Sequence, residues 1–142
     1  MGKAAEAIGA LRNSRGFRWA ALLPAALLGG GAVFFLARLI VWLGFAAMFD
    51  TRSQLFRMLN EGVSSLGFGA AFISIGVLCA PGKKRATIYG LGGLALAVGA
   101  SAALRAFRAP GADPLFLYSV TVALAGVAIS AYSELRSLKK DR

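Results

Sequence analysis

Apolar residues in this chain gather into four long runs, Trp19–Phe49, Val63–Ala80, Ala86–Leu104 and Leu115–Tyr132, and charge collects in the gaps between them. A bilayer hydrocarbon core ~30 Å thick takes roughly 20 helical residues to cross. Backbone polar groups in lipid must be satisfied within the segment itself, which selects helix. The pattern therefore predicts an all-α integral membrane protein with four transmembrane helices and short connections. The predicted spans cover about residues 19–47, 63–80, 86–104 and 115–132.

The first run is too long for one crossing: residues 19–49 as a single helix would measure ~46 Å. Trp19 and Trp42 lie ~35 Å apart along a helix, a separation that suits two interfacial aromatic belts. In that register Arg38 is one turn inside the outer belt and can snorkel to lipid headgroups. Residues 50–61 then read as an outer amphipathic helix lying flat on the membrane. Asp50 or Thr51 would cap it, and Leu55, Phe56, Met58 and Leu59 would be its apolar side. The alternative is a tilted first span that runs on to Phe49. Pro81 and Gly82 stop the second span, and the short link that follows forces an antiparallel hairpin with the third. Residues 105–114 form an outer loop, in which Asp113 is the expected N-cap and Pro114 the first helical residue of the fourth span. Tyr118 and Tyr132 bracket that span as interfacial anchors, beside Trp19 and Trp42 on the first.

Composition agrees with lipid as the solvent: 58% of residues are hydrophobic and mean hydropathy is +0.68. Charge adds the topology. Formal net charge is +10, and a basic balance can signal nucleic acid, but here Lys and Arg flank the spans, so no nucleic-acid partner is expected. Lys3, Arg12, Arg15 and Arg18 lie in the arm, Lys83, Lys84 and Arg85 in the second connection, and Arg136, Lys139, Lys140 and Arg142 in the tail. The first and third connections hold only Arg52, Arg57, Arg105 and Arg108. Cytoplasmic segments carry the positive excess, so both termini are expected in the cytoplasm, most simply across a bacterial inner membrane, with an organellar inner membrane as the other setting. The division is a basic arm (1–18), a four-helix transmembrane domain (19–132) and a basic tail (133–142). The arm followed by Trp19–Leu28 also resembles a secretory signal, but the apolar run continues past Leu28, as in a retained signal-anchor. Arg15, Arg18, Arg38, Lys83, Lys84, Arg85, Lys139 and Lys140 are the expected contacts for lipid headgroups, anionic ones on the cytoplasmic side.

Candidate chemistry is sparse. The chain has no histidine and one cysteine, Cys79, which rules out histidine-based catalysis and the usual zinc and haem ligand sets. No HExxH, CxxC or P-loop occurs. No catalytic, metal or cofactor residue is assigned, and an enzyme is not expected. All six acidic residues fall outside the predicted spans or at their edges. What the spans do carry is small residues at helical spacing: Ala86, Gly90, Gly93, Ala97 and Ser101 in the third, with a second row at Ala95, Gly99 and Ala103. The fourth has Ser119, Ala123, Gly126, Ser130 and Ser133, and the second has Ser65 with Gly69 and Ala70 with Ser74. Such rows let helices approach closely in lipid. One bundle interior uses one face of the third span, so the surplus face points to a membrane-protein partner. The leading expectation is a non-catalytic accessory, assembly or structural subunit of a larger membrane complex. The alternative is a small homo-oligomeric, holin-like pore or channel lined by Ser65, Ser74, Ser101, Ser119, Thr121 and Ser130. A lipid or pigment binder using Phe34, Phe35, Trp42, Phe68 and Phe72 is a third reading.

Overall fold

The computed structural model describes residues 15–140 apart from 81, 109, 110 and 112, with side chains from residue 19 onward. The basic arm with Lys3 and Arg12, the side chains of Arg15 and Arg18, and Pro81 lie outside the described residues. Four helices follow one another: α1 (Arg15–Phe45), α2 (Gln54–Cys79), α3 (Lys84–Arg108) and α4 (Pro114–Lys140). They run for 31, 26, 25 and 27 residues, ~38–46 Å at the helical rise. Each contains a window apolar enough to cross a membrane, and no strand occurs among the described residues. Leu28 (76% exposed), Phe35 (71%) and Phe107 (72%) are among many large apolar side chains turned outward. Water does not tolerate so much apolar surface, whereas acyl chains do. The chain is an all-α, four-helix integral membrane protein.

The separate outer helix expected over residues 50–61 is absent. Ser53 is the N-cap of α2, with its Oγ accepting a hydrogen bond from the Phe56 amide at 3.2 Å, and residues 54–61 are the first two turns of the second span. Asp50 instead closes a local turn, its Oδ1 accepting from the Arg52 amide at 2.9 Å. The reason is tertiary. Phe56 and Asn60 are one turn apart and both buried, so the side that read as membrane-surface apolar is partly a helix–helix face. The first span ends at Phe45, and a turn over residues 46–53 leads into α2.

Helix α2 is the hub, packed on both α1 and α4. On α1 the facing positions are Leu22, Ala26, Gly30, Val33, Ala37 and Val41, three or four apart as a single helical face requires. A Cβ at Gly30 would come within 3.1 Å of the Phe68 ring, and one at Gly67 within 3.3 Å of Val33. Between α2 and α4 the approach is backbone to backbone: a Cβ on Gly69 would strike the Ala123 carbonyl, and one on Gly126 the Leu66 carbonyl. The Ser74 and Ser130 hydroxyls meet across this seam at 3.0 Å. Helix α3 leans mainly on α4 and touches α2 less. Its inward face is Ile88, Leu91, Ala95 and Gly99, the last 3.1 Å from Leu124 measured from an added Cβ.

The two ends of the bundle differ. At the end carrying the α2–α3 hairpin, Leu22, Ala26, Ile73, Val77, Ile88 and Leu91 form one apolar core. Lys83 turns that hairpin with φ 45°, a left-handed conformation that costs a non-glycine residue roughly 1–2 kcal/mol. Arg85 Nη2 donates to the Leu138 carbonyl at 3.4 Å, tying the hairpin to the end of α4. At the opposite, loop end the buried positions include Asn60, Ser64 and Ser65. Helix α1 makes no close backbone approach to α3 or α4, so a cleft stays open between them above Phe68 and Phe72.

Candidate functional site

A cavity of about 460 Å³ opens at the loop end where α1, α2 and the start of α4 converge. Helix α1 supplies Arg38 and Trp42, the first turns of α2 supply Phe56, Arg57, Asn60 and Glu61, and the start of α4 brings Asp113, Phe116 and Ser119. Arg38 Nη1 lies 3.3 Å from Glu61 Oε2, with the two side chains 48% and 26% exposed. The guanidinium also sits 5.8 Å from the centre of the Phe34 ring, close enough for cation–π attraction. Asp113 caps α4, its Oδ1 accepting from the Leu115 amide at 3.0 Å. Asn60 is 8% exposed, and its Oδ1 has no hydrogen-bond partner, an omission that costs about 1–3 kcal/mol for a buried acceptor. Its backbone carbonyl is satisfied, accepting from Ser64 Oγ at 2.7 Å.

Of this cluster, the sequence singles out Arg38 as a headgroup contact, Trp42 as an interfacial anchor and Ser119 as part of a packing row, but not Phe56, Arg57, Asn60, Glu61, Asp113 or Phe116 as site residues. Arg38, expected to reach outward to headgroups, lies beside Glu61 with about half of its side chain still exposed. Glu61 was read as lying at the edge of a span beginning at Val63, whereas it stands in the second turn of α2. The signal was present in the spacing. Arg38 lies seven residues before the end of α1 and Glu61 seven after the start of α2, so an antiparallel hairpin sets them at one depth.

The small-residue rows divide. Ala123, Gly126 and Ser130 of α4 pack on α2, and Ser119 reaches the loop-end cavity. Ala86, Gly90, Gly93, Ala97 and Ser101 of α3 are all exposed. Nothing lies within 4 Å of a Cβ added at Gly90 or Gly93, so this row packs on none of the other described helices. The other row, Ala95, Gly99 and Ala103, is half-buried and takes the inner position. Among the anchors, Trp19, Trp42 and Tyr132 are exposed, whereas the Tyr118 hydroxyl is packed against Gly62 of α2. Lys83, Lys84, Lys139 and Lys140 are exposed at the hairpin end, where Arg85, Arg136 and Lys139 border a groove of about 270 Å³ with Tyr89 and Tyr132. The serines and threonine of a possible pore do not converge within one chain: Ser74 and Ser130 bond each other, while Ser101 and Thr121 are exposed and bond their own helices.

No family model, curated protein or solved structure matches this chain.

Proposed function

We propose that this protein is a non-catalytic membrane subunit that docks against a larger membrane complex through the outward face of α3. The observation that carries the reading is the Ala86–Ser101 row, which is exposed and has open space over Gly90 and Gly93. Small residues facing lipid gain no packing of their own. Their use is to let another helix backbone come close, the main source of affinity where no hydrophobic drive exists. The basic residues gathered at the hairpin end support a cytoplasmic position for that end, beside anionic lipid, in a bacterial inner membrane or an organellar counterpart.

The test is purification from native membrane in mild detergent, for the unaltered chain and for Gly93→Leu. The expected outcome is a stoichiometric membrane-protein partner that Gly93→Leu releases while the chain itself stays folded. A monodisperse monomer, or a complex indifferent to Gly93→Leu, would overturn the reading. Ion or solute flux through liposomes holding this chain alone would move the assignment to a homo-oligomeric pore.

A further inference from the structure

Among the described basic residues at the hairpin end, Arg85 alone is half-buried; Lys83, Lys84, Arg136, Lys139 and Lys140 are exposed. The Arg85 guanidinium donates to the Leu138 carbonyl at 3.4 Å, a neutral acceptor. No carboxylate comes within ion-pair range of it among the described residues, and Asp141 lies outside them. A cation withdrawn from water is costly unless an anion answers it, and one carbonyl dipole answers only part of the charge. Arg136 and Lys139 border the same groove, whereas no acidic residue does, Glu134 included. Three positive charges and no negative one therefore face a space of about 270 Å³.

The groove runs between the first turns of α3 and the last turns of α4. Arg85 and Tyr89 lie four residues apart on α3, and Lys139, Arg136 and Tyr132 follow at intervals of three and four on α4, so each helix contributes one stripe. On both helices a tyrosine lies one turn nearer the middle of the span than an arginine, ~6 Å deeper. Leu135, packed against the apolar core, lines the groove between them. Cations outermost and phenols one turn further in is the order of a bilayer interface, with phosphates above the tyrosine belt. Such a placement suits a lipid rather than a soluble anion. We propose that this groove holds one anionic phospholipid, its phosphate at Arg85 between Arg136 and Lys139, and its glycerol backbone at the depth of Tyr89 and Tyr132. Selection follows from charge. Phosphatidylcholine brings the same phosphate with a fixed positive charge, which the three cations repel and no lining carboxylate receives. A glycerol headgroup is uncharged and meets no such repulsion. The site deepens the contact with anionic lipid proposed for the hairpin end: it assigns that contact to one groove, which includes Arg136 and leaves out Lys83, Lys84 and Lys140.

Native mass spectrometry of the full chain from mixed micelles, with equimolar dioleoyl phosphatidylglycerol and phosphatidylcholine, tests this. One phosphatidylglycerol is expected to be retained over phosphatidylcholine by about fivefold or more, the effect of at least one basic residue near an anionic headgroup. Arg85→Gln should bring that ratio close to one, as should Arg136→Gln with Lys139→Gln. Lys84→Gln with Lys140→Gln removes the same two charges from exposed positions beside the groove and should keep more than half of the preference. Both double variants change exposed residues only, so the comparison stays decisive if Arg85→Gln does not fold. Equal retention of the two lipids overturns the site. An equal fall in both double variants also overturns it, while leaving the broader contact of the hairpin end with anionic lipid standing. Displacement by glycerophosphoglycerol as effective as that by the diacyl lipid overturns it as well, because the occupant would then be a soluble anion. None of the substituted residues belongs to the Ala86–Ser101 row, so partner docking is read separately.

Discussion

Glycine does two different jobs in this chain, and position alone tells them apart. Gly69 and Gly126 lie where two backbones touch, so any side chain there must displace the neighbouring helix. Gly90 and Gly93 face open space. Gly126→Val is therefore expected to destabilise the detergent-solubilised protein by about 3 kcal/mol, at the upper end of overpacking costs. Gly93→Val should stay within about 0.5 kcal/mol of the parent, as exposed changes do. Unfolding by a denaturing detergent titration reads both, and a similar loss at the two sites would contradict the assignment of faces. Spacing in the sequence identified both rows, because small residues recur at three and four in each. It did not say which row of α3 points inward. The answer lay in the large residues: Ile88 and Leu91 continue into Ala95 and Gly99, and this mixed face packs better than an all-small one.

At the scale of the element, α1 and α2 behave as one antiparallel pair. Their hydrophobic limits were readable to within a few residues at the first span's end, but the start of α2 was not. Residues 54–61 have polar and apolar positions in the proportion of a surface helix, and sequence periodicity cannot report that Phe56 and Asn60 are covered by a neighbour. The Arg38–Glu61 contact follows from the corrected start. Both groups retain solvent-accessible surface, so their attraction is screened and a coupling of about 0.5–1 kcal/mol is expected. A double-mutant cycle with Arg38→Gln and Glu61→Gln, read by thermal unfolding in detergent, measures it. Strict additivity of the two single losses would mean that the ion pair contributes nothing to joining the helices.

For the whole molecule, four crossings could be read from hydropathy, and four helices among the described residues match them. Which pairs of helices touch could not be read, because lipid-facing surfaces are as apolar as buried ones. The proposed orientation rests on charge. Replacing Lys83, Lys84 and Arg85 together by Gln should yield a mixed population of orientations. Single cysteines at Gly111 and Ser137, in a Cys79→Ser background, report it by labelling with a membrane-impermeant reagent. The parent should label at 111 only from outside and at 137 only after permeabilisation; an identical pattern in the triple variant would remove charge as the determinant.

The hub position of α2 has a consequence for biogenesis. As the nascent chain leaves the insertion machinery, α2 emerges with α1 already available, but the helix that must lie against Gly69 is made only after α3. Until then, the most intimate contact surface in the molecule is bare. A translation pause or a truncation ahead of α4 would leave that surface free to pair with the wrong segment, so the vulnerable moment in this protein's life falls before it is finished.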